Sequence, residues 1–287
     1  MNIRSALIEA MARLESASVP SHALAAELLL MHALGRDRTW LYSHPEGEIP
    51  PAALEKFHAL TAQRASGTPT QYLTGKQEFW GLEFEVTPAV LIPRPETEHV
   101  IEVTLDRLSA ERKNAPLHIA DIGTGSGCIA VALAHELPQA EIVAIDISRE
   151  ALEVARRNAA RHNVANRIRF VESNLFEALR QDSPKFDVIV SNPPYIPLSE
   201  APQLQREVRA HEPPIALFAG EDGQAIYAPL FIEAPNHLKP GGLLIVELGH
   251  DSLLGVQQRI AERPAWTEIQ ITKDLAQIPR VISAKHP

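Results

Sequence analysis

Apolar positions change period along the chain, and each change marks a boundary between elements. From Ile3 to about Arg64 they recur at helical spacing, with Ile3, Leu7, Ala10 and Leu14 on one face. A second helix is expected from a Ser21 cap through Leu34, ended by Gly35. A short third follows near Trp40, and a fourth runs from Pro51 to Arg64. Together they predict a small helical N-terminal domain over residues 1–68. Between Tyr72 and Ile92 the period falls to two: Phe79, Leu82, Phe84 and Val86 alternate with Glu83 and Glu85. That pattern predicts a β-hairpin within a linker over residues 69–92.

Past Pro95, a residue suited to the first turn of a helix, Val100, Ile101, Leu105 and Leu108 form another apolar face. Short apolar runs then alternate with longer amphipathic ones: Leu117–Ile122, Ile129–Leu137, Ile142–Ile145, Ala151–Arg161, Ile168–Val171 and Phe186–Val190. Strand and helix in turn imply a mostly parallel sheet covered on both faces, so residues 93–287 are expected to form an α/β, Rossmann-like domain. Its last third adds a helix over Gln224–Leu238, a buried strand over Leu243–Leu248 and a helix over Leu253–Ala261. A terminal strand pair is expected from Trp266–Ile271 and Arg280–Ala284, after the break at Pro279.

The segment Asp121-Ile122-Gly123-Thr124-Gly125-Ser126-Gly127 follows the first strand of this domain and opens a helix. Glycines there permit a sharp turn and close approach of a ligand to the backbone. About 20 residues on, Asp146 ends the next strand, where a carboxylate accepts both hydroxyls of a ribose. Ser148 is the better cap for the helix that follows, which leaves Asp146 free for a ligand. After the third strand, Asn174 and Leu175 are placed to meet the edge and face of an adenine, although an ordinary strand-end turn explains Asn174 on its own nearly as well. The glycine spacing departs from the usual dinucleotide fingerprint. Asp121, two residues before the first glycine, would repel a pyrophosphate but can bind the amino group of a methionine moiety. S-adenosylmethionine fits Asp121, Gly123, Thr124, Gly125, Gly127, Asp146, Asn174 and Leu175 better than NAD does.

Beyond the fourth strand stands Asn192-Pro193-Pro194-Tyr195. The prolines stiffen the loop and bring no N–H, while the Asn192 carboxamide and the Pro193 carbonyl offer acceptors. Both hydrogens of a planar –NH2 group can be received there, with Pro194 and Tyr195 lining the substrate pocket and Asn192 close to the methyl donor. Asn-Pro and Pro-Pro also punctuate ordinary turns, and the glycine loop upstream is what favours nitrogen methylation. Asn192 and Pro193 are the candidate catalytic groups.

Composition narrows the class. The chain has 287 residues, of which 45% are hydrophobic, and a formal charge of -9, a balance that argues against a broad nucleic-acid surface. Cys128 is the single cysteine, so an internal disulfide is excluded and a cytoplasmic enzyme is expected. The opening residues read as an amphipathic helix, and no apolar run approaches the roughly 18 residues of a membrane span. The 12 histidines are scattered without ligand spacing, so no metal is expected. An amine methyltransferase acting on nucleic acid, a non-catalytic binding module and an NAD oxidoreductase are the competing readings.

The glycine loop, Asp146 and Asn192–Tyr195 resemble class I S-adenosylmethionine-dependent methyltransferases of the amino-methylating group. Narrower motifs choose within it. Pro69-Thr70-Gln71-Tyr72-Leu73-Thr74-Gly75, Glu78-Phe79-Trp80-Gly81-Leu82, Leu91-Ile92-Pro93-Arg94-Pro95-Glu96-Thr97-Glu98 and His211-Glu212-Pro213 resemble the PrmC/HemK family of peptide chain release factor glutamine methyltransferases. Pro95-Glu96-Thr97-Glu98 favours that family over the related ribosomal-protein glutamine methyltransferases, and Asn174 stands where the family commonly has Asp. The resemblance implies methylation of the Gly-Gly-Gln glutamine of bacterial class 1 release factors, with the helical domain helping to grip the protein substrate. It implies neither a nucleic acid nor a membrane partner, and a monomer is expected.

Overall fold

The computed structural model describes residues 1–180, 184–261 and 266–287. Within them the chain divides into two units, one of Met1–Lys76 with Leu204–His211, the other of Gln77–Gln203 with Glu212–Pro287.

The first unit is helical, with helices Ile3–Ser16, His22–Leu34, Arg38–Ser43, Pro51–Ala65 and Thr70–Thr74. Their apolar faces close over Ile3, Leu14, Leu29, Leu30, Leu41 and Phe57, all buried. Asn2 caps the first helix by accepting from the Ser5 N–H at 2.8 Å, and Asp37 caps the third from Trp40 at 2.7 Å. Ser21 does not cap the second as expected. Its backbone is left-handed, with φ 48°, and its side chain makes no capping bond. The unit continues past residue 68 and takes in the short helix Arg206–His211, whose Glu207 forms an ion pair with the buried Arg64.

In the second unit, β1 (Lys76–Phe79) and β2 (Leu82–Glu85) form the expected hairpin. A seven-stranded sheet follows, made of β3 (His118–Ile122), β4 (Glu141–Asp146), β5 (Ile168–Glu172), β6 (Phe186–Ser191), β7 (Leu238–Glu247), β8 (Thr267–Lys273) and β9 (Pro279–Lys285). The spatial order is β5-β4-β3-β6-β7-β9-β8. Pairing from β5 across to β7 is parallel, and β9 runs antiparallel to both its neighbours. Alternate residues of the central strands enter opposite cores. Ile119, Val188, Val190 and Ile245 pack with helices Glu98–Arg107 and Cys128–Glu136; Ala120, Ile189, Leu244 and Val246 pack with Tyr227, Leu230 and Phe231. Burial of both faces is why these strands read as unbroken apolar runs.

The expected helix over Gln224–Leu238 is shorter, Tyr227–Glu233, because Pro235 opens a separate 3-10 turn over Ala234–Asn236. That frees Leu238 to start β7 earlier than expected, with a shift in its pairing to β6 between Phe186 and Val188. Asn158 ties the hairpin to the glycine loop: fully buried, it accepts from the Glu85 N–H at 2.7 Å and donates to the Glu85 carbonyl at 3.0 Å and the Ser126 carbonyl at 2.9 Å.

Candidate active site

Strands are added outward from β3 first through β4 to β5 and then, on its other side, through β6 to β7, and a crevice opens outside the carboxyl ends of the strands at such a switch in order. The loops after β3, β4, β5 and β6 meet there around a cleft that is open to solvent at its mouth.

On one wall the glycine loop is strung against β4. The N–H groups of Gly123 and Thr124 both donate to the Ile145 carbonyl, at 2.8 and 2.9 Å, and the Gly125 N–H donates to Asp146 Oδ2 at 2.8 Å. Asp146 Oδ1 accepts from the Ser148 N–H at 2.8 Å, while the Ser148 hydroxyl caps the helix Arg149–Arg161. Burial pushes the Asp146 carboxyl up, opposed by the backbone N–H groups of Ser148, Gly125 and Ile147. Gly125 has φ 55° and nothing near the position a Cβ would take, so its backbone is bare towards a ligand.

Gly123, Thr124, Gly125, Asp146, Asn174 and Leu175 all line the cleft. Asn174 Nδ2 donates to Glu177 Oε1 at 2.7 Å. Ile147, half exposed on the same wall, was not singled out by the sequence, although a large apolar residue beside a strand-ending acid is a usable signal. An acid, an apolar plate, an amide and bare backbone together suit an adenosine moiety.

Two of the expected cofactor residues are not on this wall. Gly127 has φ 80°, and a Cβ there would meet the Ala155 Cβ at 3.0 Å, so its place is close packing between helices. Asp121 is fully buried, with Oδ2 accepting from the Thr124 hydroxyl at 2.6 Å and the Ala130 N–H at 3.2 Å. Its Oδ1 is buried without a partner, and burial pushes its carboxyl up to about 7. It supports the loop from beneath.

The same cleft is lined by Asn192, Pro193 and Pro194. Asn192 Nδ2 donates to the Thr97 hydroxyl oxygen at 2.9 Å, so the nitrogen of this amide is engaged and Oδ1 is the atom that can accept from a substrate. Thr97 also lines the cleft and was quoted in the sequence only as part of a motif. Tyr195 is not on the wall. It is partly buried, its hydroxyl donates to Glu247 Oε1 at 3.4 Å, and its ring abuts Gly249, so it anchors the loop. Burial and the neighbouring Glu247 charge push its phenol further up.

Arg94, at the cleft, pairs with the buried Glu212, which also accepts from the Ile92 N–H at 3.2 Å. Glu96 faces Arg280 at 3.9 Å. The Cys128 thiol is buried and pushed up to about 12 by that burial, which leaves it protonated and inert. Among the described residues no group of three His, Cys, Asp or Glu is placed to hold a metal ion, and no helix is long and apolar enough to cross a membrane.

Comparison with known proteins agrees with this geometry. Residues 5–75 match the PrmC N-terminal domain and residues 102–211 the methyltransferase small domain. A release factor glutamine methyltransferase of Koribacter versatilis is 42% identical, covering 100% of this chain and 99% of the relative. One from Chlorobaculum tepidum is 43% identical over 91% and 89%, and one from Geobacter sulfurreducens 47% over 82% and 81%. Among solved structures, a methyltransferase from Pyrococcus furiosus aligns with TM-score 0.51 at 20% identity, over 72% of this chain and 90% of that one. The hMettl16 catalytic domain aligns with TM-score 0.55 at 18% identity, over 78% and 81%, and at such identities these two speak for the fold alone. With a relative of 42% identity matched end to end, the chain belongs to the release factor glutamine methyltransferase family, on the class I S-adenosylmethionine-dependent methyltransferase fold.

Proposed function

We propose that this protein methylates the side-chain amide nitrogen of the glutamine in the Gly-Gly-Gln motif of bacterial class 1 peptide chain release factors. The products are N(5)-methylglutamine and S-adenosylhomocysteine. The observation that carries this reading is the Asn192 amide, held by its nitrogen on Thr97, on the wall of the cleft that also carries Asp146 and Gly125. We read the protein as a cytoplasmic monomer whose partner is the release factor, with neither nucleic acid nor membrane involved.

Asp146 would hold the ribose hydroxyls, Asn174, Leu175 and Ile147 the adenine, and the backbone of Gly123 to Gly125 the methionine end. Bound there, S-adenosylmethionine supplies an electrophilic methyl group on a sulfonium sulfur. The glutamine nitrogen is a poor nucleophile because its lone pair is delocalised into the carbonyl. Asn192 Oδ1 and the Pro193 carbonyl accept its two N–H bonds, aim the nitrogen at the methyl group and stabilise the positive charge that grows on it. The nitrogen–carbon bond forms as the carbon–sulfur bond breaks, and the nitrogen then sheds one proton to water. Alignment of two held reactants contributes roughly 7–11 kcal/mol, so geometry lowers the barrier most and no base is needed before transfer.

The test is transfer of labelled methyl to purified unmethylated release factor, with a Gly-Gly-Ala variant, a large-subunit ribosomal protein and duplex DNA in parallel. Label on the release factor that vanishes with the glutamine supports the assignment. Label only on the ribosomal protein or DNA overturns it.

A further inference from the structure

Among the described residues that line the cleft, Asp146 is the sole carboxylate and Arg94 the sole lysine or arginine. The mechanism above uses the acid and leaves the cation without a role. Arg94 stands between Pro93 and Pro95, a setting that favours extended backbone, and it takes φ -101° and ψ 144°. Its Nη2 pairs with Glu212 Oε1, and Glu212 Oε2 accepts from the Ile92 N–H at 3.2 Å. The Glu212 side chain is 1% exposed and that of Arg94 33%. One buried carboxylate thus braces both the backbone and the guanidinium of this segment. Among the described residues Glu212 is the only hydrogen-bond partner of that guanidinium, which has more N–H donors than one carboxylate oxygen receives.

S-adenosylmethionine carries a carboxylate at its methionine end, and a carboxylate entering a cleft lined mostly by apolar side chains needs donors or a counter-charge. The glycine loop has few donors left. The N–H groups of Gly123 and Thr124 are engaged by the Ile145 carbonyl and that of Gly125 by Asp146. From this loop a run of contacts leads to Arg94. A Cβ on Gly123 would lie 3.8 Å from the Asn192 carbonyl oxygen, Asn192 Nδ2 donates to the Thr97 hydroxyl oxygen at 2.9 Å, and the Thr97 N–H donates to the Arg94 carbonyl at 3.1 Å. Charge decides which reactant the guanidinium serves. A glutamine side chain flanked by glycine is neutral, whereas the cofactor brings a full negative charge.

We infer that Arg94 binds the methionine carboxylate of S-adenosylmethionine, held for that purpose by Glu212. With the adenosine moiety at Asp146, a ligand laid across Gly125 and Gly123 meets Arg94 with its far end. The guanidinium then lies between two carboxylates, one buried in the protein and one brought by the ligand, and each accepts charge-assisted hydrogen bonds from it.

This role rests on reading the cleft as the cofactor site and does not depend on which protein accepts the methyl group. Calorimetry measures the affinity of wild type, Arg94→Met, Arg94→Met/Glu212→Gln and Asp146→Ala for S-adenosylmethionine and for decarboxylated S-adenosylmethionine, which lacks only the carboxylate. Wild type should prefer the complete cofactor by about tenfold or more, the equivalent of one hydrogen bond to a charged group. Arg94→Met should lose that preference, because two groups that interact are not additive when each is removed. The single variant leaves the buried Glu212 carboxylate without its partner, so the double variant, which removes both charges, decides if the single one does not fold. Asp146→Ala should weaken both ligands and keep the preference. An undiminished preference in folded Arg94→Met or in the folded double variant, or equal weakening of both ligands, overturns the role of Arg94. So does a raised KM for the release factor with both cofactor affinities kept, a result that would give the guanidinium to the protein substrate. If Asp146→Ala and the Arg94 variants all bind both ligands as wild type does, the reading of the cleft falls with it.

Discussion

Replacing Asp146 tests the cofactor wall most directly, because its two oxygens are already committed. One receives the Gly125 N–H and the other the Ser148 N–H, each at 2.8 Å, so the carboxylate must serve the loop and a ribose at once. Only an ionised carboxylate has acceptor capacity for both, with two oxygens and about four lone-pair sites. Asp146→Ala removes the ribose acceptor, and a hydrogen bond to a charged group contributes about 1.5–3 kcal/mol. Affinity for S-adenosylmethionine should therefore weaken roughly 10- to 150-fold, at 1.4 kcal/mol per tenfold. Asp146→Asn should do nearly as badly although it is isosteric. Its oxygen can keep one backbone N–H, but its –NH2 then confronts the other donor. Titration calorimetry with S-adenosylmethionine and with S-adenosylhomocysteine, beside a thermal melt to establish folding, measures both variants. Folded Asp146→Ala that binds within about threefold of wild type would refute the ribose assignment.

Other predictions follow from separate contacts. Asn192→Ala should lose on the order of 100- to 1000-fold in kcat with cofactor affinity kept, by analogy with removal of one preorganised polar partner, and steady-state kinetics with calorimetry will show whether the two effects part. Asn158→Ala strips partners from the Glu85 N–H, the Glu85 carbonyl and the Ser126 carbonyl, so denaturant unfolding should register a loss of about 2–3 kcal/mol, near 1 kcal/mol for each bond. Asp121, raised by burial from an unfolded value of 3.8 to about 7, binds more protons folded than unfolded in that window. Its contribution to stability is therefore fully present below the unfolded value and is lost as pH rises towards 7, at no more than about 1.4 kcal/mol per pH unit. Asp121→Asn should flatten that slope in unfolding midpoints taken at about pH 5 and pH 7, and an unchanged slope would count against a buried, raised Asp121.

What the sequence disclosed and what it hid divide along a physical line. The parallel sheet was legible because Ile119 and Ala120, or Val188 and Ile189, feed different cores, and burial on both faces leaves an apolar run that any reading of period detects. The hairpin was legible through the alternation of Phe84 with Glu83 and Glu85. That Asn192–Pro194 and Gly123–Gly125 line one cleft was legible because their chemistry is contiguous: two acceptors in one stiff loop, bare backbone in another. Ser21 was misread, and the packing of Gly127 and Asp121 was hidden, because a backbone angle or a distant partner decides each of them. Ser21 is a good cap by type, but a left-handed backbone removes the bond. Gly127 is spaced like a ligand glycine, yet Ala155 is what forbids a larger residue. Thr97 was hidden for the same reason, since its bond to Asn192 joins positions far apart in the chain and leaves no periodic trace. That contact determines which atom of the Asn192 amide is left for the substrate. The sequence could therefore name Asn192 as the residue proposed to meet the substrate nitrogen, while the end of its side chain left to do so is set by a neighbour only the fold brings near.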